Sequence, residues 1–249
     1  MPHANHPRAR WAAAGVVLAF CLASAATAQD ARDPAALQAA EKMGAYLQSL
    51  KTFEVTSDVT MGALDNGQPR QLKASVDYKV RRPNGFVIES AGEKKARKFI
   101  YDGKAFTVFA PKVGYYASVS APPTIKQTLD VVYDTYGIAL PLADLFYWGE
   151  GASPTEAVIS ASKVGQETIG GAATDHYRYR STDLEWDIWI QRGAQPLPRK
   201  ITITTLDDPA KPTYSSVLTW NVAPNFPAGT FAFNPAKDAK PIALAKVNP

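Results

Sequence analysis

The sequence has little of the residues on which many catalytic and structural sites depend. It contains one cysteine and three histidines among 249 residues. A single cysteine cannot form an intramolecular disulfide or supply a cysteine-based zinc site. His176 is the only histidine after residue 6, and no G-x-S-x-G motif is present, so nothing points to a nucleophile beside a base. We therefore expect no catalytic residue, no metal site, no cofactor and no enzymatic activity.

An excess of charge of one sign is also lacking. The 27 Lys and Arg residues are interspersed with 23 Asp and Glu residues, which leaves a formal charge of +4. This balance is too weak to indicate a nucleic-acid-binding protein. A hydrophobic fraction of 46% excludes an intrinsically disordered chain. The 19 prolines and 16 glycines break the chain often, which favours strands and turns over a helical bundle.

The first apolar run is too short to be a membrane-spanning helix. Residues 11–26 form an uncharged, mostly apolar run of 16 residues, whereas a spanning helix needs about 20. Arg8 and Arg10 precede the run, and Ala26-Thr27-Ala28 is a small-x-small cleavage site. The pattern predicts a signal peptide, residues 1–28, that directs export across the inner membrane and is then removed. The mature chain is therefore predicted not to span a membrane.

Residues 29–249 are predicted to form one domain, because no repeat or low-complexity linker divides them. Apolar residues recur every three or four positions from Ala36 to Leu50 and predict an amphipathic helix. From Thr52 the apolar period changes to two, and Asp65-Asn66-Gly67 is a hairpin turn signal. Eleven strands are predicted, near residues 53–61, 72–80, 86–91, 97–102, 105–110, 114–120, 163–169, 173–181, 184–191, 198–206 and 213–222.

Helical signals lie between the sixth and seventh predicted strands. A helical stripe runs from Ile125 to Tyr136, and residues 141–146 suggest a short apolar helix. Ser153-Pro154-Thr155-Glu156 is a capping box that predicts a further helix start. Eleven strands with one apolar face must curl to bury that face, and the helices are the available cover. A curled sheet under helices commonly makes an apolar cavity.

Two polar features on the later strands have a functional and a simpler interpretation. His176 lies in the middle of a predicted strand, where a structural or exposed histidine is the simpler interpretation. Asp183, Glu185 and Asp187 share one face of a strand and could bind a hard cation. Because Leu184, Trp186 and Ile188 occupy the other face, the acids are more simply the solvated face.

Two basic features are more suggestive. Lys94, Lys95, Arg97 and Lys98 could meet anionic lipid or an acidic partner, although a charged hairpin tip is the simpler interpretation. Arg82 follows a strand at the edge of the apolar sheet. An arginine close to the open carbonyl ends of helices can latch a lid, but the residue alone is equally consistent with an exposed side chain.

Five motifs, in order, resemble those of LolA-type periplasmic lipoprotein carriers. The first is R-P-N-G-F at residues 82–86, which matches the R-P-N-x-F segment of that family. The others are I-Y-D-G-K with F-A-P (100–104 and 109–111), P-L (141–142), P-R-K-I (198–201) and F-A-F-N-P (231–235). The chain resembles in particular an uncharacterised branch of predicted periplasmic proteins in this superfamily. Tyr101 and Thr107-Val108 depart from the usual hairpin pattern.

The resemblance implies a mainly β (α+β) fold, an open eleven-stranded antiparallel half-barrel with a helical lid over an apolar cavity. It also implies a soluble periplasmic binder or carrier that holds the acyl chains of lipids or lipoproteins there. Arg82 matches the arginine that latches the lid, and Phe86 matches a phenylalanine at a rim used in partner contacts. The residues expected to line the cavity are Phe53, Val55, Val59, Tyr78, Val80, Phe99, Tyr101, Leu129, Leu142, Phe146, Trp186 and Ile188.

The resemblance leaves two classes of partner open. A carrier of this type works with an inner-membrane complex and an outer-membrane receptor. Periplasmic stress sensors share the fold and bind proteins, so the alternative is a regulatory protein-interaction module. No nucleic-acid partner is expected.

Overall fold

The computed structural model describes residues 32–65, 68–92, 95–140, 142–146, 148 and 155–247. The predicted signal peptide, Lys94, Pro141 and Ser153-Pro154 lie outside the described residues. The elements in chain order are α1 (Pro34–Ser49), β1 (Thr52–Asp65), β2 (Gln68–Arg81), β3 (Gly85–Gly92), β4 (Ala96–Tyr101), β5 (Ala105–Ala110), β6 (Tyr115–Ser120), α2 (Ile125–Tyr136), a 3₁₀ helix (Ala143–Phe146), β7 (Ser160–Ile169), β8 (Ala172–Arg180), β9 (Leu184–Gln191), β10 (Pro198–Thr205), β11 (Thr213–Asn221) and β12 (Lys240–Pro241).

All strands belong to one sheet with the order β12-β6-β5-β4-β3-β2-β1-β11-β10-β9-β8-β7. Each of the eleven predicted strands is present, and their neighbours pair antiparallel. The predicted count of eleven is nevertheless wrong, because β12 adds a twelfth strand, parallel to β6. This strand has two residues, too few to show the alternation by which strands are recognised in a sequence.

The helices form because their ends are capped, as the sequence indicates. The Asp33 carboxylate accepts a 2.9 Å hydrogen bond from the backbone N–H of Ala35 at the start of α1. Thr124 caps α2 in the same way, and α2 ends at Gly137, whose φ of 65° suits glycine. The helix predicted from Ser153 is wrong in its described part, because Thr155–Ala157 form a turn and β7 begins at Ser160. The chain pairs with β8 only after this turn, where the backbone N–H of Ile159 donates to the Arg180 carbonyl at 2.8 Å.

The two helices and the 3₁₀ helix cover one face of the sheet, here called the inner face. Alternation along the strands puts Phe53, Tyr78 and Ile188 on this face, and the main core lies between it and the helices. Hydrophobic burial is the main force that holds this cover on the sheet.

The opposite, outer face is partly covered by the end of the chain. Phe231 packs against Val87 and Ile100 in a separate small core. Farther along, the backbone N–H of Val247 donates to the carbonyl of Thr135 in α2. The C-terminal segment therefore runs from the outer face around the β6 edge to the end of α2. No described helix has the length and apolarity to cross a membrane.

Candidate functional site

The inner face is filled at one end by an aromatic cluster. Phe146 of the 3₁₀ helix packs against Phe53 and Tyr78 of the sheet, with ring centroids 5.8 and 5.5 Å away. Phe53 also packs against Trp220, at 5.7 Å. Phe146 is 2% exposed and Tyr78 is 1% exposed. Phe146 is thus an apolar plug that the helical cover inserts into the floor of the inner face.

The residues expected to line a cavity all belong to the main core or pack against it. Nine of them are buried members of the main core: Phe53, Val55, Val59, Tyr78, Val80, Tyr101, Leu129, Phe146 and Ile188. The other three, Phe99, Leu142 and Trp186, are half-buried and pack against it. The aromatic contacts show that side chains occupy the space under Phe146. That cargo contacts these residues stays a prediction.

The other end of the inner face is open to solvent. Met61 of β1 and Leu72 of β2 are directly paired across the strands, and each is 36% exposed. Next to them along β2, Ala74 is half-buried against the core. The apolar surface therefore runs from the end filled by Phe146, here called the plugged end, through the buried side chains of Val76 and Val59 to an exposed apolar pair, here called the open end.

Arg82 lies where both helices meet the sheet. Its guanidinium donates to the carbonyl of Leu47 near the end of α1, at 3.5 Å, and lies 5.8 Å from the centre of the Phe53 ring. The next carbonyl, that of Pro83, accepts a 2.9 Å hydrogen bond from the backbone N–H of Ile125 at the start of α2. A charge-assisted bond to a helix-end carbonyl is what a latch requires.

Phe86 occupies a position that differs from the expected rim. Its side chain is 0% exposed and packs against Tyr101 and Phe106, with ring centroids 5.4 and 6.2 Å apart. Alternation along β3 turns it toward the inner face, under α2. A partner cannot reach Phe86 in this conformation, so a rim role requires the cover to move and stays a prediction.

Four hydroxyl groups interrupt the apolar floor, and none of them was predicted from the sequence. Ser57 and Ser216 are fully buried and share a 2.6 Å hydrogen bond across the sheet. The Tyr214 hydroxyl is buried beside them and beside Tyr78, outside good hydrogen-bond geometry. Burial raises the pKa of Tyr78 far above its usual value, with a contribution from Tyr214. In the sequence, Ser57 stands at an inward-facing position between Val55 and Val59. A serine at such a position is the pattern from which a buried polar group could have been predicted.

The outer face carries polar side chains that are already paired. The His176 imidazole donates a 2.7 Å hydrogen bond to the Asp187 carboxylate and stacks on Trp189, with ring centroids 4.0 Å apart. Arg178 donates to the same carboxylate at 3.0 Å, and Lys200 lies over the Trp189 ring at 4.2 Å. These contacts support the structural interpretation of His176. Within the described residues, no group of three or more His, Cys, Asp or Glu side chains could hold a metal ion.

A family model described as "Predicted periplasmic protein (DUF2092)" matches residues 36–245. The chain belongs to this family. The match confirms the expected branch of predicted periplasmic proteins, and it runs from the first turn of α1 through the whole sheet into the C-terminal segment. A search of curated proteins gives no match.

Three solved structures are similar to the DUF2092 chain at low sequence identity. LprF from Mycobacterium bovis is 16% identical, with a TM-score of 0.45 over 82% of this chain and 99% of that chain. The LolA superfamily protein NE2245 from Nitrosomonas europaea is 11% identical, with a TM-score of 0.36 over 80% and 97%. The MucA/MucB complex of Pseudomonas aeruginosa is 13% identical, with a TM-score of 0.42 over 77% and 59%.

Proposed function

We propose that this DUF2092 protein is a periplasmic binder or carrier of the acyl chains of lipids or lipoproteins, and that it acts without catalysis. One observation carries the proposal: the apolar inner face extends past the helical cover to Met61 and Leu72 at the open end. Exposed apolar surface that is continuous with a core is typical of a ligand-binding groove.

The hydrophobic effect is large enough for such a function. Burial of one methylene group stabilises a complex by about 0.8 kcal/mol, so a chain of about 16 carbons gains about 12 kcal/mol before the costs of binding. A chain of that length needs more surface than the open end provides. We propose that it enters at Met61 and Leu72 and displaces Phe146 from Phe53 and Tyr78, so that the plug and the cargo exchange places.

Arg82 is proposed to control this exchange. Its bond to the Leu47 carbonyl holds the end of α1 against the sheet, and the adjacent Pro83 carbonyl holds the start of α2. Movement of the helical cover would break both contacts. The latch therefore favours the plugged state until an acyl chain replaces the lost apolar contacts.

The decisive experiment is native mass spectrometry of the protein purified from a bacterial periplasm, followed by lipid extraction. We expect discrete adducts that prove to be acylated species and that are displaced by added fatty acid. A matched variant, Leu72→Glu, places a charge in the open end and should lose the adducts while folding normally. A mass without adducts, together with no uptake of added fatty acid or lipopeptide, would contradict the proposal.

A second candidate function is a regulatory protein-interaction module. The outer edge of β7 favours this function. Among the described residues, only Arg32 pairs with this edge, in a single bridge to Ala161. Val164, 49% exposed, lies on this strand. An unpaired edge can accept a strand from a partner. A pull-down that recovers one envelope protein, is lost in Val164→Pro and leaves no lipid in the purified sample would favour this function.

A further inference from the structure

We propose that the cargo is a lipid with an anionic, phosphate-bearing headgroup, which binds at the open end against Lys95, Arg97 and Lys112. The inference rests on the proposed function, because it assumes that an acyl chain enters the inner face. It concerns the polar part of the ligand, for which an apolar groove alone gives no information.

Arg97 stands at the end of a row of inner-face residues. Across neighbouring strands the register pairs Ser57 with Val76, Val76 with Ser90, and Ser90 with Arg97. Arg97 is exposed, and one of its nitrogens donates to the Ala96 carbonyl at 2.8 Å. The other N–H groups of this guanidinium can donate hydrogen bonds to a headgroup whose acyl chain lies on the inner face. A guanidinium with several donors is suited to phosphate oxygens.

Two lysines lie on the neighbouring turns at the same end of the sheet. The backbone N–H of Gly92 donates to the Lys95 carbonyl at 2.9 Å, and the Lys112 ammonium donates to the Gly92 carbonyl at 3.4 Å. Gly92 is paired with Ala74, which lies on the inner face next to Leu72. The two ammonium groups are therefore carried by turns that border the open end on its β3–β6 side.

Charge is divided between the two halves of this end of the sheet. Three aspartates, Asp183, Asp207 and Asp208, against one lysine, Lys211, lie in the β8–β9 and β10–β11 turns, on the opposite side of the open end from Lys95 and Arg97. An anionic group is therefore attracted toward β3–β6 and repelled from β8–β11. A headgroup without net charge would gain little from this division, which is why an anionic lipid fits the surface better.

The test compares two soluble lipids that differ only in headgroup charge. Lysophosphatidylglycerol and lysophosphatidylcholine with the same acyl chain are titrated below their critical micelle concentrations, so that no membrane surface is present. At low ionic strength we expect the anionic lipid to bind roughly tenfold more tightly, the effect of about two exposed ion pairs. The preference should shrink at about 0.5 M salt, because exposed charges are screened.

The variant Arg97→Gln/Lys112→Gln should lose most of the preference and keep its affinity for lysophosphatidylcholine. The matched control is Lys73→Gln/Lys104→Gln. Lys73 points to the outer face opposite Leu72, and Lys104 lies in the β4–β5 turn at the other end of the sheet. The control removes the same charge and should preserve the preference. Circular dichroism and urea unfolding establish that both variants are folded.

The outcomes separate this inference from the proposed function. Equal binding of both lipids, unchanged in Arg97→Gln/Lys112→Gln, would overturn the headgroup inference and leave acyl-chain binding intact. Failure to bind either lipid would count against the proposed function itself. Binding to phosphatidylglycerol vesicles without any preference among the soluble lipids would show that the cations contact a membrane surface, which also overturns the inference.

Discussion

The two ends of the inner face are built from similar residues but are closed in different ways. At the plugged end, Phe53 and Tyr78 pack against Phe146, a side chain supplied by the cover. At the open end, Met61 and Leu72 pack against each other and solvent. The difference shows that the apolar surface of the sheet is longer than the part the helices cover. We expect the plugged end to determine stability and the open end to determine access.

Phe146→Ala should have the largest effect, because it removes the plug. Loss of a buried phenylalanine that leaves a cavity costs about 3–5 kcal/mol in the free energy of unfolding. Urea unfolding measures this loss, and added fatty acid should restore part of it by filling the space. Leu72→Ala, at the open end, is the control and should cost about 1 kcal/mol, because this side chain is already 36% exposed. Equal losses for the two variants would contradict the distinction between the ends.

High pH should destabilise the buried floor of the inner face. Burial raises the pKa values of Tyr78 and Tyr214 above their usual value near 10. The protonated forms are therefore favoured by folding, and their contribution to stability is present below pH 10 and lost as pH rises above it. For Tyr78 the loss approaches about 1.4 kcal/mol per pH unit above pH 10. Urea unfolding between pH 9 and about pH 11 should show this slope, and Tyr78→Phe should reduce it. A pH-independent stability would contradict the burial of these hydroxyls.

The strands of the sheet could be predicted because the sequence patterns that indicate them are local. Alternation and turn signals lie within each hairpin, so the bounds of β3–β11 agree with the structure to within three residues at each end. The contact of Phe146 with Tyr78 joins residues far apart in the chain, and no periodicity encodes it. The capping box at Ser153 failed for a related reason: the local helix signal gave way to a turn at Thr155–Ala157, which leads the chain into its pairing with β8.

Arg82→Leu should have a smaller effect on stability and a clear effect on exchange. The lost hydrogen bond to the Leu47 carbonyl is worth about 1–2 kcal/mol, and its absence should speed both uptake and release of a fluorescent fatty acid. The neighbouring residue provides the control, because the Arg81 guanidinium lies 4.6 Å from the Phe231 ring, which packs on the outer face. Arg81→Leu should leave exchange unchanged. Unaltered kinetics in Arg82→Leu would remove the latch role.

Met61→Gln/Leu72→Gln should change stability least, by less than about 1 kcal/mol, because both side chains are already 36% exposed. Affinity for an acyl chain should nevertheless fall several-fold, since the chain would meet two polar side chains where it enters. The control is Val217→Gln: Val217 is 37% exposed and is paired with Asp58 on the outer face. If the control weakens binding as much as the double variant, general surface hydrophobicity explains the affinity. If only the double variant does so, the inner face is the path of the chain, and exposure at the open end serves binding.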